Sequence, residues 1–300
     1  MKLHLYNSYK REKESFEPIK DGYVGLYTCG PTVYDYAHIG NFRTFIFEDL
    51  LKRWLIHLGY DVKHVMNITD VDDKTIKKAN DESVALNIIT DRYTSCFMED
   101  LKWLKMIPAD EFPRATDYID KMISMIQTLL DKNFAYKDND GSVYFDINSF
   151  QEYGCLTNLN IKGQKQTKRI NDDEYEKDSP QDFALWKGWK KEDGDIVWNA
   201  PWGKGRPGWH IECSAMSIDA LGDHFDIHCG GIDNMFPHHE NEIAQSVCST
   251  GKPFVNYWLH SEFLLVDGGK MSKSLGNYYT IKDLINKGFS AESIRYQLLS

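Results

Sequence analysis

Two short runs of the sequence carry residue types suited to gripping a phosphate chain. In His38-Ile39-Gly40-Asn41, a histidine and an asparagine flank a glycine just where an apolar stretch gives way to a helical pattern. A helix N-terminus placed there offers free backbone N–H groups and the positive end of a dipole. Gly40 would let a ring approach closely, and His38 can donate hydrogen bonds to phosphate oxygens. In Lys270-Met271-Ser272-Lys273-Ser274, bracketed by Gly268-Gly269 and Gly276, two lysines stand three apart on a glycine-flanked loop. Such cations can neutralise charge that grows in a transition state. Each run alone has a plainer reading, a loop histidine without a role and a solvated lysine-serine turn. Their order, on either side of an α/β body, points to ATP chemistry.

A third group of residues could hold a metal. His238 and Glu242 lie four apart in Pro237-His238-His239-Glu240-Asn241-Glu242-Ile243-Ala244, so one helix face would present both. Cys29 at a strand end and Cys213 in Trp209-His210-Ile211-Glu212-Cys213 would complete a Cys₂HisGlu set. Spacing does not bring these four together, and two buried thiols beside a solvated acidic helix remain the alternative.

Composition limits the classes of function. Aromatic residues make up 13% of the 300 positions, too much burial-seeking surface for a disordered chain. Charge sums to −10, which excludes non-specific coating of nucleic acid. A polynucleotide partner would need a local basic patch, and Lys162, Lys165, Lys168 and Arg169 offer one. Six cysteines without any CxxC suit a reducing compartment. No apolar run reaches the roughly 20 residues of a membrane span, and the N-terminus lacks an apolar signal core. A soluble, cytoplasmic chain without membrane contact is expected.

The elements that must position these residues read as α/β. Val24–Cys29 is a short buried strand. Phe42, Phe45, Ile46, Asp49, Leu50, Arg53 and Trp54 recur at helical spacing up to a stop at Gly59, and Asp61–Asn67 is a second strand. Strand, crossover helix, strand is the unit of a parallel sheet. Helical patterns follow over Ser83–Lys105 and Thr116–Leu130, with Asn133 as a C-cap. Asp138-Asn139-Asp140-Gly141 marks a hairpin. The polar, tryptophan-rich stretch after it reads as an insertion. The α/β pattern resumes with a helix over Trp209–Leu221, a strand over His224–Cys229 and a helix over Pro237–Cys248. A strand at Phe263–Val266 and two helices capped by Thr280 and Ser290 close the chain. The expected division is 1–120 and 208–255 for the two halves of a Rossmann-like domain, 121–207 for the mixed insertion, and 256–300 for a strand-loop-helix segment. Gly203-Lys204-Gly205-Arg206-Pro207-Gly208 formally fits G-x-G-x-x-G, but Pro207 and the lack of a clean preceding strand mark it as a turn-rich junction.

The two phosphate runs together resemble the HIGH and KMSKS sequences of the class I aminoacyl-tRNA synthetases. Lys270–Ser274 matches letter for letter, whereas Asn41 replaces the second histidine of the first. Tyr27-Thr28-Cys29-Gly30-Pro31-Thr32-Val33-Tyr34, Asn67-Ile68-Thr69-Asp70-Val71-Asp72-Asp73-Lys74, Gly208-Trp209-His210-Ile211-Glu212-Cys213-Ser214 and Phe236-Pro237-His238-His239-Glu240-Asn241-Glu242 resemble the cysteinyl-tRNA synthetases, over essentially the whole chain. That resemblance implies one zinc ion on Cys29, Cys213, His238 and Glu242, which binds the thiolate of substrate cysteine. It implies Thr69, Trp209 and Asp233 in the cysteine pocket. His38, Asn41, His228 and Lys273 would face ATP and its magnesium, and His38, Lys270 and Lys273 would stabilise the charge that develops.

A metal makes chemical sense there, because an apolar pocket separates serine from cysteine poorly while a soft ion favours thiolate over alcohol. Four protein ligands usually close a zinc site, so a fifth ligand is expected on substrate binding. The implied activity is formation of cysteinyl-adenylate and transfer to tRNA(Cys) by a monomer. A paralogous ligase that passes cysteine to an amino sugar, as in mycothiol biosynthesis, is the rival. The chain ends inside an amphipathic helix, where the resemblance leads one to expect a further anticodon-reading domain.

Overall fold

The computed structural model describes residues 2–159, 169–170, 181–266, 269–271 and 277–300. A hairpin, β1 (His4–Asn7) and β2 (Glu12–Ser15), precedes β3 (Tyr23–Thr28), α1 (Ile39–His57) and β4 (Asp61–Met66). Two helices follow, α2 (Asp73–Glu82) and α3 (Leu86–Trp103), and then α4 (Ile119–Asp131). The middle of the chain holds β5 (Ala135–Lys137), β6 (Val143–Phe145), β7 (Arg169–Ile170), β8 (Asp182–Gly188), β9 (Trp198–Ala200) and β10 (Gly203–Pro207). The last part runs α5 (Trp209–Leu221), β11 (Phe225–Gly231), α6 (His238–Thr250), β12 (Val255–Ser261), β13 (Leu265–Val266), β14 (Gly269–Lys270), α7 (Ile281–Asn286) and α8 (Ala291–Leu299).

Four strands form a parallel sheet in the order β12–β11–β3–β4. Strands from both ends of the chain therefore meet at its centre, where Tyr27 lies opposite His228 on one side and Val65 on the other. The two inner strands, β3 and β11, are buried at all but one residue each because helices cover both faces. The residues between the two halves build a separate antiparallel sheet, β5–β6–β8–β10–β9, with β7 alongside β8. Every residue of β6 and of β8 is buried. Phe145, Phe183 and Trp186 of this sheet share one apolar core with Tyr27, Ile211, Phe225 and Trp258, so the inserted sheet packs on the parallel one.

Local sequence accounts for the ends of most elements. His38, Asp72, Thr280 and Ser290 cap α1, α2, α7 and α8 through their side chains. Asn133 and Gly251 adopt the left-handed conformation that closes a helix.

Several expectations need correction. The helix expected over Ser83–Lys105 begins too early. α2 ends at a left-handed Ser83, and α3 begins only at Leu86. Residues Gly203–Pro207 are not a turn-rich junction but strand β10, paired with both β8 and β9, and Pro207 sits at its very end. The strand expected at Phe263–Val266 shrinks to Leu265–Val266, and the sheet gains β12, which the sequence reading passed over. Among the described residues no helix is long and apolar enough to cross a membrane.

Candidate active site and metal centre

The cleft opens where the strands of the parallel sheet end. It encloses about 340 Å³, and its lining includes Cys29 and Gly30 just past β3, Asn67 and Thr69 past β4, Gly231 at the end of β11 and Asp233 past it, and Ser261 at the end of β12. The carboxyl edge of an open parallel sheet is where such folds hold ligands. Gly30 is fixed by sterics, since a Cβ there would lie 1.8 Å from the carbonyl oxygen of Asn67. Its N–H donates to Asn67 Oδ1 at 3.0 Å, locking the exit of β3 to the exit of β4.

Four side chains from three elements converge on this cleft. Ligand atoms of Cys29, Cys213 on α5, and His238 and Glu242 on α6 all lie within 4.8 Å of one another, and all four residues are buried. Tetrahedral zinc with bonds of about 2.0–2.3 Å wants ligands of this type at comparable separations. The helix spacing does what i, i+4 geometry allows, with Glu242 Oε1 3.1 Å from His238 Nε2. That oxygen is buried and accepts no hydrogen bond among the described residues, so a carboxylate oxygen and an imidazole nitrogen converge without a shared proton. An acceptor stranded in a low-dielectric interior is costly unless a cation meets it. The residues present therefore fit a zinc ion.

A second set, Cys29, His228, His239 and Glu242, is equally tight. It satisfies itself, however. His228 Nε2 pairs with Glu242 Oε2 at 3.0 Å, His239 Nε2 with Cys29 Sγ at 3.4 Å, and His239 Nδ1 with His260 Nε2 at 2.8 Å. Neither His228 nor His239 lines the cleft, whereas Cys29, Cys213 and His238 do. The first set is the one an incoming ligand could touch.

Burial sets the protonation of these groups. It pushes the Cys29 thiol well above its ordinary value, with neighbouring Cys213 adding to the effect, and raises Cys213 as well. It drives His238 down to about 3, leaving a neutral imidazole with a lone pair to give. His210 Nδ1 stands 2.9 Å from His238 Nδ1, and Trp209 stacks on the same ring at 4.0 Å. Together they fix which nitrogen of His238 faces Glu242.

The cysteine-pocket residues Thr69, Trp209 and Asp233 all line the cleft. Thr69 Oγ1 donates to Glu212 Oε2 at 3.1 Å and accepts from Asn67 Nδ2 at 3.2 Å. Burial holds the Glu212 carboxyl well above the usual carboxylate range, so it stands behind Thr69 as a neutral acid.

His38 and Asn41 line the opposite wall and cap α1 reciprocally. His38 Nδ1 accepts from the Asn41 N–H at 3.2 Å, and Asn41 Oδ1 accepts from the His38 N–H at 3.1 Å. Asparagine at position 41 thus completes a capping box at the start of α1.

His228, expected to face ATP, does not line the cleft. The residue is wholly buried, its ring stacked on Trp258 at 4.6 Å, because β11 is an inner strand and position 228 points under α6. Lys270 belongs to β14, while Lys273 lies outside the described residues, as do Lys162, Lys165 and Lys168 of the basic run.

Sequence reasoning passed over Lys74, Asn67 and Tyr278, which line the cleft together with Tyr34. Lys74 follows the N-cap of α2, so the acidic run before it was the available signal. Asp72 caps the helix, and Asp70 accepts from Thr116 N at 2.9 Å and from Thr116 Oγ1 at 2.6 Å. Tyr278 packs edge-on against His38 at 5.2 Å, and Thr280 bridges to His38, tying the far end of the chain to the first phosphate loop.

Comparison with known proteins then supplies a family. The family model described as tRNA synthetases class I (C) catalytic domain matches residues 15–300. The chain belongs to that family. The cysteine-tRNA ligase of Chlamydia muridarum is 58% identical over 300 residues, all of this chain and 63% of that protein. That of Protochlamydia amoebophila is 56% identical over 99% of this chain and 63% of its own. The chain thus spans somewhat under two thirds of the length of these curated relatives. Two solved structures of Mycobacterium tuberculosis methionyl-tRNA synthetase with methionyl-adenylate superpose with TM-scores of 0.69 and 0.70. Identity is 14% for both, over 92% of this chain and 64% of theirs, and the likeness is one of fold. It is the class I synthetase fold.

Proposed function

We propose that the chain is the catalytic part of a cysteine-tRNA ligase. It would join L-cysteine to ATP as cysteinyl-adenylate and then pass the cysteinyl group to the terminal ribose of tRNA(Cys). The observation that carries this reading is the convergence of Cys29, Cys213, His238 and Glu242 in the same cleft that His38 and Asn41 line. A zinc ion held by those four side chains would supply a soft Lewis acid that prefers a thiolate to an alcohol, which selects cysteine over serine without a second hydrolytic site.

The chain's own residues supply position and charge. Asp233 would meet the substrate ammonium, and Thr69, braced by Glu212, and Trp209 would bound the amino-acid pocket, a reading supported by their shared place in the cleft lining. The cysteine carboxylate oxygen attacks the α-phosphorus of magnesium-bound ATP, and pyrophosphate departs. His38, the N-terminus of α1, Lys270 and Lys273 face the charge that develops on the phosphates. A ribose hydroxyl of the tRNA then attacks the acyl carbonyl and AMP leaves. No side chain forms a covalent bond to substrate.

Cysteine-dependent exchange of pyrophosphate into ATP tests the first half, and charging of tRNA(Cys) by the full-length protein tests the second. Exchange with cysteine but not serine, lost in Cys213→Ser, is expected. Exchange that accepts serine equally well refutes the selection argument. Charging of an amino sugar in place of tRNA would favour the paralogous ligase.

A further inference from the structure

The ligand helix α6 is held by a loop of the inserted region. Glu240 lies between the two ligands His238 and Glu242 in sequence but points the other way, and it is wholly buried. Its carboxylate is ringed by donors from one short stretch of chain. Gly154 N–H reaches Oε1 at 2.8 Å, Thr157 N–H reaches Oε2 at 3.0 Å, Thr157 Oγ1 reaches Oε2 at 2.9 Å, and the Cys155 thiol lies 3.6 Å from Oε1. One residue on, Asn241 Oδ1 accepts from Tyr153 O–H at 2.5 Å.

The loop is shaped for this contact. Gly154 has φ +91°, and a Cβ there would lie 2.6 Å from the carbonyl oxygen of Leu159. Pro237, at the N-cap of α6, gives the helix no side-chain cap. The rotation and depth of its first turn therefore depend on what grips Glu240 and Asn241.

We infer that Glu240 is a positioning residue for the metal ligands, and that residues 153–157 clamp α6 so that His238 and Glu242 meet Cys29 and Cys213 at one point. The inference rests on the zinc reading above. Outer partners of metal ligands commonly change affinity 10- to 100-fold. Glutamine at 240 is the sharpest substitution, because its amide would turn N–H donors toward Gly154 or Thr157 N–H donors where a carboxylate presents only acceptors.

The test is zinc affinity of the 300-residue chain by competition with a chromophoric chelator, together with KM for ATP in the exchange assay. Glu240→Gln should weaken zinc binding by about 10-fold or more. Thr157→Val, which removes a single donor from the loop side and spares the ligand helix, should weaken it by a smaller factor, with Thr157→Ser restoring it. KM for ATP should hold, since the phosphate wall is built on α1. A wild-type chain that binds no zinc overturns the zinc reading and this inference with it. A wild-type chain that binds zinc, with folded Glu240→Gln and Thr157→Val chains binding it equally tightly, overturns this inference alone. Equal loss on the ATP side would also overturn it, as the mark of general loosening.

Discussion

Glu48 shows how far a single side chain can depart from its helix pattern. It sits on α1 at zero exposure, and neither carboxylate oxygen has a hydrogen-bond partner among the described residues. Burial pushes its carboxyl well above the ordinary value of 4.5. A raised carboxyl binds its proton more tightly in the folded state. Its favourable share of stability is complete below the unfolded value and drains away as pH climbs from there through the folded one. Glu48→Met, similar in volume and without a charge to desolvate, should be close to neutral near pH 4. At pH 8 it should stabilise the chain by about 2 kcal/mol. Urea unfolding at the two pH values checks this, and a gain that is the same at both would refute the protonation argument. The periodic reading of α1 missed this residue because Leu50 and Trp54, counted toward the buried stripe, are 45% and 39% exposed.

At the scale of elements, what joins the inserted sheet to the start of α2 is charge as much as apolar packing. Asp73, the first residue of α2, pairs with Lys187 of β8 at 2.8 Å and with Arg206 of β10. Arg206 in turn meets Asp193 at 3.1 Å. Both basic residues are buried, so removing their shared anion weakens the compensation of their charge, with roughly 3–5 kcal/mol, the cost of breaking a wholly buried pair, as the upper bound. The Asp73 side chain itself is half exposed, so water will absorb part of that cost. Asp73→Ala should therefore destabilise by about 1–2 kcal/mol. It should also raise KM for cysteine, because Thr69 and Lys74 hang from the same segment. Thermal unfolding and exchange kinetics read the two effects. An unchanged melting temperature would mean that the ion network contributes nothing. The strand β10 that carries Arg206 looked like a glycine-rich turn in sequence, because Gly203, Gly205 and Pro207 hide an inner strand that only pairing with β8 and β9 makes possible.

Over the whole molecule, an ion held at the proposed site would also be a staple. Its ligands come from the end of β3, from α5 and from α6, so an ion that binds only the folded chain adds to global stability. The gain is about 2.7 kcal/mol at a free concentration 100 times Kd. Zinc should raise the unfolding temperature, and a chelator should reverse the gain. Because the two thiols must lose protons to bind, and burial holds both above their usual range, the zinc-dependent gain should shrink as pH falls. Calorimetry at pH 6 and pH 8, with and without zinc, measures it. A zinc effect independent of pH would exclude thiolate ligation.

Sequence alone determined the local chemistry of this chain. The cap residues, the i, i+4 pair on α6, the strand-helix-strand rhythm and the two phosphate runs are short-range patterns fixed by backbone geometry and side-chain type. Tertiary structure decided which distant residues share a point in space. Cys29 and Cys213 meet because a parallel sheet interleaves strands from both ends of the chain. His228 lies outside the cleft because β11 is an inner strand whose first six residues are all buried. Glu240 faces a loop some 85 positions earlier, where only packing could place a matching set of donors.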